Sequence, residues 1–552
     1  MPTLTRLGAL QTGTTQSQEF GIYGFRGGLN VKSLPQALPD SDLAIAQDGY
    51  LTSDGGFQMR NGMTPFGVPF PTTEPVYLAR FYQGVLNGAA VSPQTTQLIA
   101  LHKDQLFVVT PTSNDLIGLV GSGVLNPPCF ARIQNPNDPN FTSGLTDCLV
   151  ICNGNGIPRI YDGTNLYAPA GWHNARGANW CAVVNGILWF GGIATAPNQV
   201  FGTGDGIIES METLPAYRNF VYSSPVMGLA ASGTGAQAAL IVGLNDGFAI
   251  LSGTGPSNFY QQETPFADAA VAGRAMISWN GQVFVLGHSA VYAFGLGQIP
   301  TPISEKVEPW ILNRVTTSIP TYPGFPLAFN RAFSWMEVYN NRLHLGYASQ
   351  TAQPDTILVF DLAIGGWTVL RPTPGIASMC LLDAPTDPDP YTAMVGGTNG
   401  RVYTWDVEPI ANQPALDDTT PILAQFQTKF YKIGAPGTNK AMERAYPEFF
   451  ISGEFLANWV MLVNYGSVST VTTPLDLPYE SFFGIWDVSA WDNADWANES
   501  GPQFLAFAAP TTRIDYPGTQ AESFSFGVQM TQALAPWIFA GMSLVMHQRG
   551  RT

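Results

Sequence analysis

From about Leu98 to Asp406 short apolar runs alternate with polar turn residues, a rhythm that suits strands and leaves no window for a long amphipathic helix. Eight segments read as β-hairpins: LIALHKDQLFVVT at Leu98, CLVICNGNGIPRIYDG at Cys148, CAVVNGILWFGG at Cys181, ALIVGLNDGFAILSG at Ala239, MISWNGQVFVLG at Met276, WMEVYNNRLHLGYA at Trp335, DTILVFDLAIGGWTVL at Asp355 and YTAMVGGTNGRVYTWD at Tyr391. Asn185-Gly186, Asp246-Gly247, Asn280-Gly281 and Asn399-Gly400 mark their turns, because Asn, Asp and Gly accept positive φ at low cost.

The units recur about 20 to 60 residues apart, centred near the roughly 40 to 50 of propeller blades, and lack a regular Trp-Asp register. The pattern predicts an all-β fold dominated by a β-propeller of about six or seven blades. A series of β-sandwiches is the competing architecture; it would show shorter, more evenly spaced strands joined by long Greek-key returns.

The two ends break this rhythm. In residues 1–75, Pro35, Pro39, Gly55 and Gly56 forbid a long element, and the segment reads as an extended arm ending in a hairpin. The propeller is assigned to 76–408. PIANQPALDDTTP, at 409–421, has the composition of a linker, and 422–552 forms a C-terminal β region that holds QFQTKFYKIG, a Tyr- and Trp-rich middle and a closing strand, AGMSLVMHQRGRT.

Composition sharpens the class. Gly 58 and Pro 43 supply many turns, while charged residues stop at 12%, about half the usual share, leaving little from which to build helical surfaces. The balance of 24 basic against 40 acidic residues, net −16, argues against gripping nucleic acid through its phosphates. It is compatible with a channel wall past which DNA slides unheld. The start, MPTLTRLGAL, has no basic stretch followed by an apolar core, and the longest apolar run, Ala533 to Met546, is short and contains Pro536. The chain therefore reads as a soluble protein made in the cytoplasm, without a membrane span.

A catalytic centre needs a nucleophile, base and orienter, or metal ligands at usable spacing, and no convincing set emerges. His102, His173, His288, His344 and His547 are isolated. Of Cys129, Cys148, Cys152, Cys181 and Cys380, most lie in or beside apolar runs and read as reduced core thiols; Cys148 and Cys152 share one face of a strand, where packing is the expected role. Gly202, Gly204 and Gly206 mimic a phosphate loop but lack the following Lys-Ser/Thr and a helix. Asp246, Asp361, Asp406 and Glu408 are weighed as axial acid/base carboxylates of a propeller glycosidase, and Asp383, Asp387 and Asp389 as a Ca²⁺ loop; turn ends and a solvated loop account for them better. No cofactor or metal is expected. Trp486, Trp491 and Trp496, five residues apart, read as packing or interface anchors, with sugar stacking as the second reading.

One N-terminal set goes beyond composition: Gly24-Phe25-Arg26-Gly27-Gly28-Leu29-Asn30, then Leu34-Pro35, Leu38-Pro39-Asp40, Asp54-Gly55-Gly56 and Arg60-Asn61-Gly62. It resembles the opening of the tail hub or nozzle proteins of short-tailed bacteriophages, the group that includes packaged-DNA stabilisation, head-completion and tail tubular proteins. Thr428 to Gly434 and the closing run Gly541 to Arg551 are similar to that group's last domain. The resemblance is strongest over the first 65 and last 130 residues; in the middle it rests on propeller-like repetition. Its motif residues are Phe25, Arg26, Gly28, Leu29, Asn30, Pro35, Gly55, Gly56, Arg60 and Gly62, none of them catalytic.

The resemblance implies a propeller inserted in a platform-like β domain built from both ends of the chain. It implies a hexamer, a six-fold ring below portal and adaptor in the virion tail, assembled in the host cytoplasm, a head-tail connector part that retains packaged DNA, takes part in DNA ejection and helps attach fibres or spikes. Double-stranded DNA would pass without specific binding. Loops NPNDPNFTSG near Asn135 and TTSIPTYPGFPLAF near Thr316 are candidates for plugging the channel. The alternative is a propeller that binds or cleaves host-surface glycans.

Overall fold

The computed structural model describes residues 6–10, 17–34, 37–86, 89–121, 127–135, 146–169, 172–203, 219–233, 238–253, 258–266, 268, 270–312, 331–349, 352–383, 391–409, 413–432, 440–464, 469–477, 483–484, 495–496, 512–516, 519–530, 532 and 534–548. The fold is all-β: among the described residues seven sheets are arranged as the blades of a propeller, inserted in a platform made from the N- and C-terminal segments. Blades one to five are separate four-stranded antiparallel sheets, whose innermost strands are Val76–Leu86, Cys129–Asn135, Trp180–Val184, Val226–Ser232 and Met276–Trp279. Blade six starts at Trp335–Tyr339 and blade seven at Ile376–Asp383. Neighbouring blades pack in a closed circuit through these first strands, with Val76–Leu86 meeting blade two at its second strand, Thr146–Cys152, and blade seven at Ile376–Asp383.

All eight sequence-read hairpins fall on paired strands, for example Trp180–Val184 with Ile187–Gly191 and Met276–Trp279 with Gln282–Leu286. Asn185, Gly186, Asn280 and Gly281 adopt the positive φ values read from their identities (51, 73, 47 and 77°), and so do Asn340 and Asn341 (48 and 56°). At Asn399-Gly400 only the glycine does (74°), and at Asp246-Gly247 neither does.

Among the described residues blade seven has three strands of its own. Its fourth, outermost strand is Gly62–Phe66, paired antiparallel with Val402–Val407 through Val402↔Phe66 and Trp405↔Met63. The N-terminal arm therefore does not all belong to the platform: after the hairpin Gly49–Leu51/Phe57–Met59 it crosses to the propeller and closes it. The boundary read at 75 is corrected accordingly. The reason is edge satisfaction, since Val402–Val407 would otherwise present a row of unpaired backbone groups. The stretch read as a linker, 409–421, is also structured in part: Leu416–Asp417 runs parallel to Gly62–Phe66, and Asp417 is buried. A Cβ at Gly62 would collide with the Leu416 carbonyl, so this crossing needs glycine.

The platform consists of two sheets. One holds Ser17–Tyr23, Trp537–Gln548 and Lys440–Ile451. The other continues outward from blade six through Gly28–Leu29, Asp42–Gln47, Gln425–Thr428, Phe524–Gln529, Phe455–Val463 and Ser469–Leu477. The space between them is filled by large rings: Phe426 stacks on Phe539 at 4.3 Å between centroids, Phe25 on Phe539 at 5.6 Å, and Phe57 and Phe449 flank Trp537 at 5.9 and 6.0 Å. Packed sheets lie roughly 10 Å apart, a gap that such rings span. This core runs without a break into blades five and six through Phe284, Leu286, Leu343 and Leu345. Platform and propeller thus share one interior.

Candidate functional site

Motif residues and axial cavity are the two places where the fold concentrates informative chemistry. The motif residues turn out to assemble the platform. Phe25 and Leu29 are fully buried, and Gly28 has φ 64° with its α-carbon so near the Trp367 backbone that a Cβ would lie 2.5 Å from the Trp367 carbonyl. Gly55 (φ 91°) accepts the Phe25 N–H at 2.6 Å, and the Gly56 N–H is capped by Thr52 Oγ1 at 2.8 Å. Asn30 Nδ2 donates to buried Asp42 at 2.7 Å, while Asp42 and the Gly27 carbonyl also receive Lys306 Nζ at 2.9 and 2.7 Å. That triad ties the arm to the segment between blades five and six. Arg26 is exposed, and Pro35 lies outside the described residues.

Arg60 is the junction residue. It is 1% exposed, and its Nη1 and Nη2 donate to both oxygens of Asp417 at 2.7 and 2.5 Å, its Nε to Asp48 at 3.0 Å, with Trp405 beneath the guanidinium at 5.4 Å. The carboxylates are satisfied further by backbone N–H groups, Arg371 on Asp48 at 2.8 Å and Thr373 on Asp417 at 3.1 Å. Arm, blade six exit, blade seven and the 409–421 segment meet on this one guanidinium. A buried charge is tolerated here because every lone pair facing it is used.

The axial cavity, about 600 Å³, is lined by residues of all seven innermost strands. Its walls divide almost evenly between polar surface and apolar surface, the latter from side chains such as Leu78, Met276, Met336 and Met379, and its charged residues are Arg80, Arg132, Arg274 and Glu337. Burial pushes the Glu337 carboxyl up to about 7, although part of the residue still faces open space. Cys129, Cys181 and Cys380 also line the cavity. The Cys129 and Cys181 thiols bridge blades two and three through each other's backbone, Cys129 Sγ to the Cys181 carbonyl at 3.3 Å and Cys181 Sγ to the Cys129 carbonyl at 3.7 Å. The hydrogen bond that Cys129 donates to Cys181, together with burial, holds the Cys129 thiol well above its usual range, and burial does the same for Cys181 and Cys380. All five cysteines are free thiols.

None of the carboxylates weighed as axial acid/base groups lines this cavity. Asp246 is bonded to Ser224, Asp361 caps its turn through the N–H groups of Ala363 and Ile364 at 3.0 and 2.9 Å, and Asp406 sits at a bulge in the third strand of blade seven with φ 58°. Glu408 likewise lies away from the axis. The physical reason is topological: those residues end second and third strands, whereas the axis is lined by first strands. Glu337, which does reach the axis, was missed; a lone charge inside WMEVY, on an apolar strand, was the available signal.

Trp486 and Trp491 lie outside the described residues, and Trp496 belongs to a two-residue strand, Asp495–Trp496, paired parallel with Phe483–Gly484. The loops proposed as plugs, the glycine loop beyond Thr203, and Asp387 and Asp389 are likewise outside the described residues. His344 is buried, and burial drives its imidazole down to about 3, so it is a neutral packing group. Among the described residues no group of three or more His, Cys, Asp or Glu side chains is arranged to hold a metal ion.

No family model and no curated protein matches this chain. Among solved structures it is similar to BBS1N in complex with ARL6DN, soaked with lead, at 9% identity, covering 63% of this chain and 98% of that one with a TM-score of 0.36. Similarity at that level says nothing about activity or partners, and the propeller assignment rests on the strand order itself.

Proposed function

We propose that this chain is a structural subunit of the tail hub or nozzle of a short-tailed bacteriophage, working as one member of a ring in the DNA conduit. The observation that carries the reading is the use made of the N-terminal motif: Phe25, Gly28, Leu29, Asn30, Gly55, Gly56, Arg60 and Gly62 serve to interleave the two chain ends and close a propeller inserted between them. That is the architecture the sequence resemblance implies, and it spends the motif on rigidity rather than on chemistry. The propeller axis is not the DNA path in this reading. A cavity of about 600 Å³ lined by side chains is far too narrow for a duplex, so DNA passes through the centre of the assembled ring. A net charge of −16 keeps such a wall from holding phosphates.

The test is light scattering on the purified chain, alone and mixed with phage particles that lack it, followed by electron microscopy. A ring, or a monomer that joins the portal vertex and restores DNA retention, is the expected result. A monomer that ignores particles but binds or cleaves bacterial polysaccharide overturns it in favour of the glycan reading. Glycoside hydrolysis uses two carboxyl groups flanking the bond, and the axial cavity holds only Glu337 among the described residues.

A further inference from the structure

The axial cavity contains a buried cation, Arg274, that forms no ion pair among the described residues. Arg274 stands in a short turn, Gly273–Ala275, just before the innermost strand of blade five. Gly228 and Gly273 approach so closely that a Cβ on Gly228 would lie 2.7 Å from the Gly273 α-carbon, which lets the turn press into the axis. From there Arg274 reaches across to blades seven and one. Its Nη2 donates to the Ala377 carbonyl at 2.9 Å and its guanidinium lies 4.9 Å from the Tyr77 ring centroid. Tyr77 and Ala377 are each second in their strands, so the cation sits where the innermost strands begin.

Nη1 of Arg274 is buried and has no hydrogen-bond partner. The groups acting on its charge are the Tyr77 phenol and the Cys129 thiol, which burial and, for Cys129, the hydrogen bond it donates to Cys181 keep in their neutral forms. Arg60, by contrast, is buried with Asp48 and Asp417, and Arg132, partly exposed on the same cavity wall, has Asp147 at 2.9 Å. An unsatisfied buried charged donor is costly, and burial pulls the Arg274 guanidinium below its ordinary range.

We propose that the axial cavity binds a small organic carboxylate, a monoanion with an apolar body, whose carboxylate pairs with Arg274 while its body lies against Leu78, Met276, Met336 and Met379. A volume of about 600 Å³ suits a molecule of that class, and Leu78, Met276, Met336 and Met379 supply the apolar part of a wall that is otherwise polar. A single guanidinium edge matches one carboxylate, and Arg132 on the same wall is already paired with Asp147. Nη1 is covered by protein in this conformation, so binding entails a rotamer change, which the unbranched methionines beside it permit. The inference stands apart from the tail assignment.

The experiment is calorimetric titration of the full chain with sodium octanoate, 1-octanol and inorganic phosphate, with thermal melts in parallel. Saturable octanoate binding at least ten-fold tighter than that of either other probe is expected, with a rise in Tm. Arg274→Gln, checked for native circular dichroism, should lose at least ten-fold in octanoate affinity and leave 1-octanol unchanged. If that variant does not fold, the three probes on the unaltered chain still decide. Octanol binding as well as octanoate, phosphate binding more tightly, no binding of octanoate, or a folded variant with unchanged affinity would each overturn the proposal.

Discussion

Arg60 and Asp417 are 357 residues apart in sequence and joined by two parallel hydrogen bonds of 2.7 and 2.5 Å in the buried seam where the propeller closes. Asp48 completes the cluster at 3.0 Å. Removing one member of such a group leaves an uncompensated buried charge, which costs about 3–5 kcal/mol.

Arg60→Leu should therefore lower the unfolding free energy by about that amount, read by chemical denaturation. Asp417→Asn should also destabilise, and the double variant should lose much less than the sum, because the two side chains form one unit. Additive losses would mean that the pair is not coupled.

Gly28→Ala tests the platform. The position combines φ 64° with a backbone carbonyl 2.5 Å from where the methyl would go, and neither strand can yield without breaking pairing. Strain of this kind costs about 1–3 kcal/mol, so the melting temperature should drop by several degrees. An unchanged melt would show that the Trp367 strand moves freely.

The propeller's closure by Gly62–Phe66 makes a further demand. A chain trimmed to residues 76–408 lacks the fourth strand of blade seven and both partners of its Asp417 seam. It should be aggregation-prone and rapidly cut by protease within 391–407, whereas the full chain should resist there. Equal resistance of the two would place the boundary at 76 after all.

Glu337 sets a pH dependence. Its folded-state carboxyl is raised to about 7 by burial, against an ordinary value of 4.5, so the folded chain holds a proton that the unfolded chain releases across that window. Stability from this group is complete below about 4.5 and is lost as pH rises to about 7. Glu337→Gln should raise stability at pH 8 by about 1–3 kcal/mol and change little at pH 5, which paired thermal melts would show.

Hydrophobic alternation and Asn-Gly chemistry by themselves determined the all-β class, the eight hairpins and the propeller, because these are local: a two-residue turn and its flanking apolar strands carry their own instruction. The quoted N-terminal motif also pointed correctly to a platform made from both chain ends, since Phe25 packs on Phe539. Only the tertiary structure decided that Gly62–Phe66 leaves the platform to finish blade seven, that Asp417 belongs to a buried cluster rather than a linker, and that Glu337 and Arg274, not Asp246 or Asp406, share the axis. Those outcomes depend on which strand of each blade faces inward and on which chain segment fills the last edge. Both are settled by closure of the ring, a long-range condition that no local window of residues encodes.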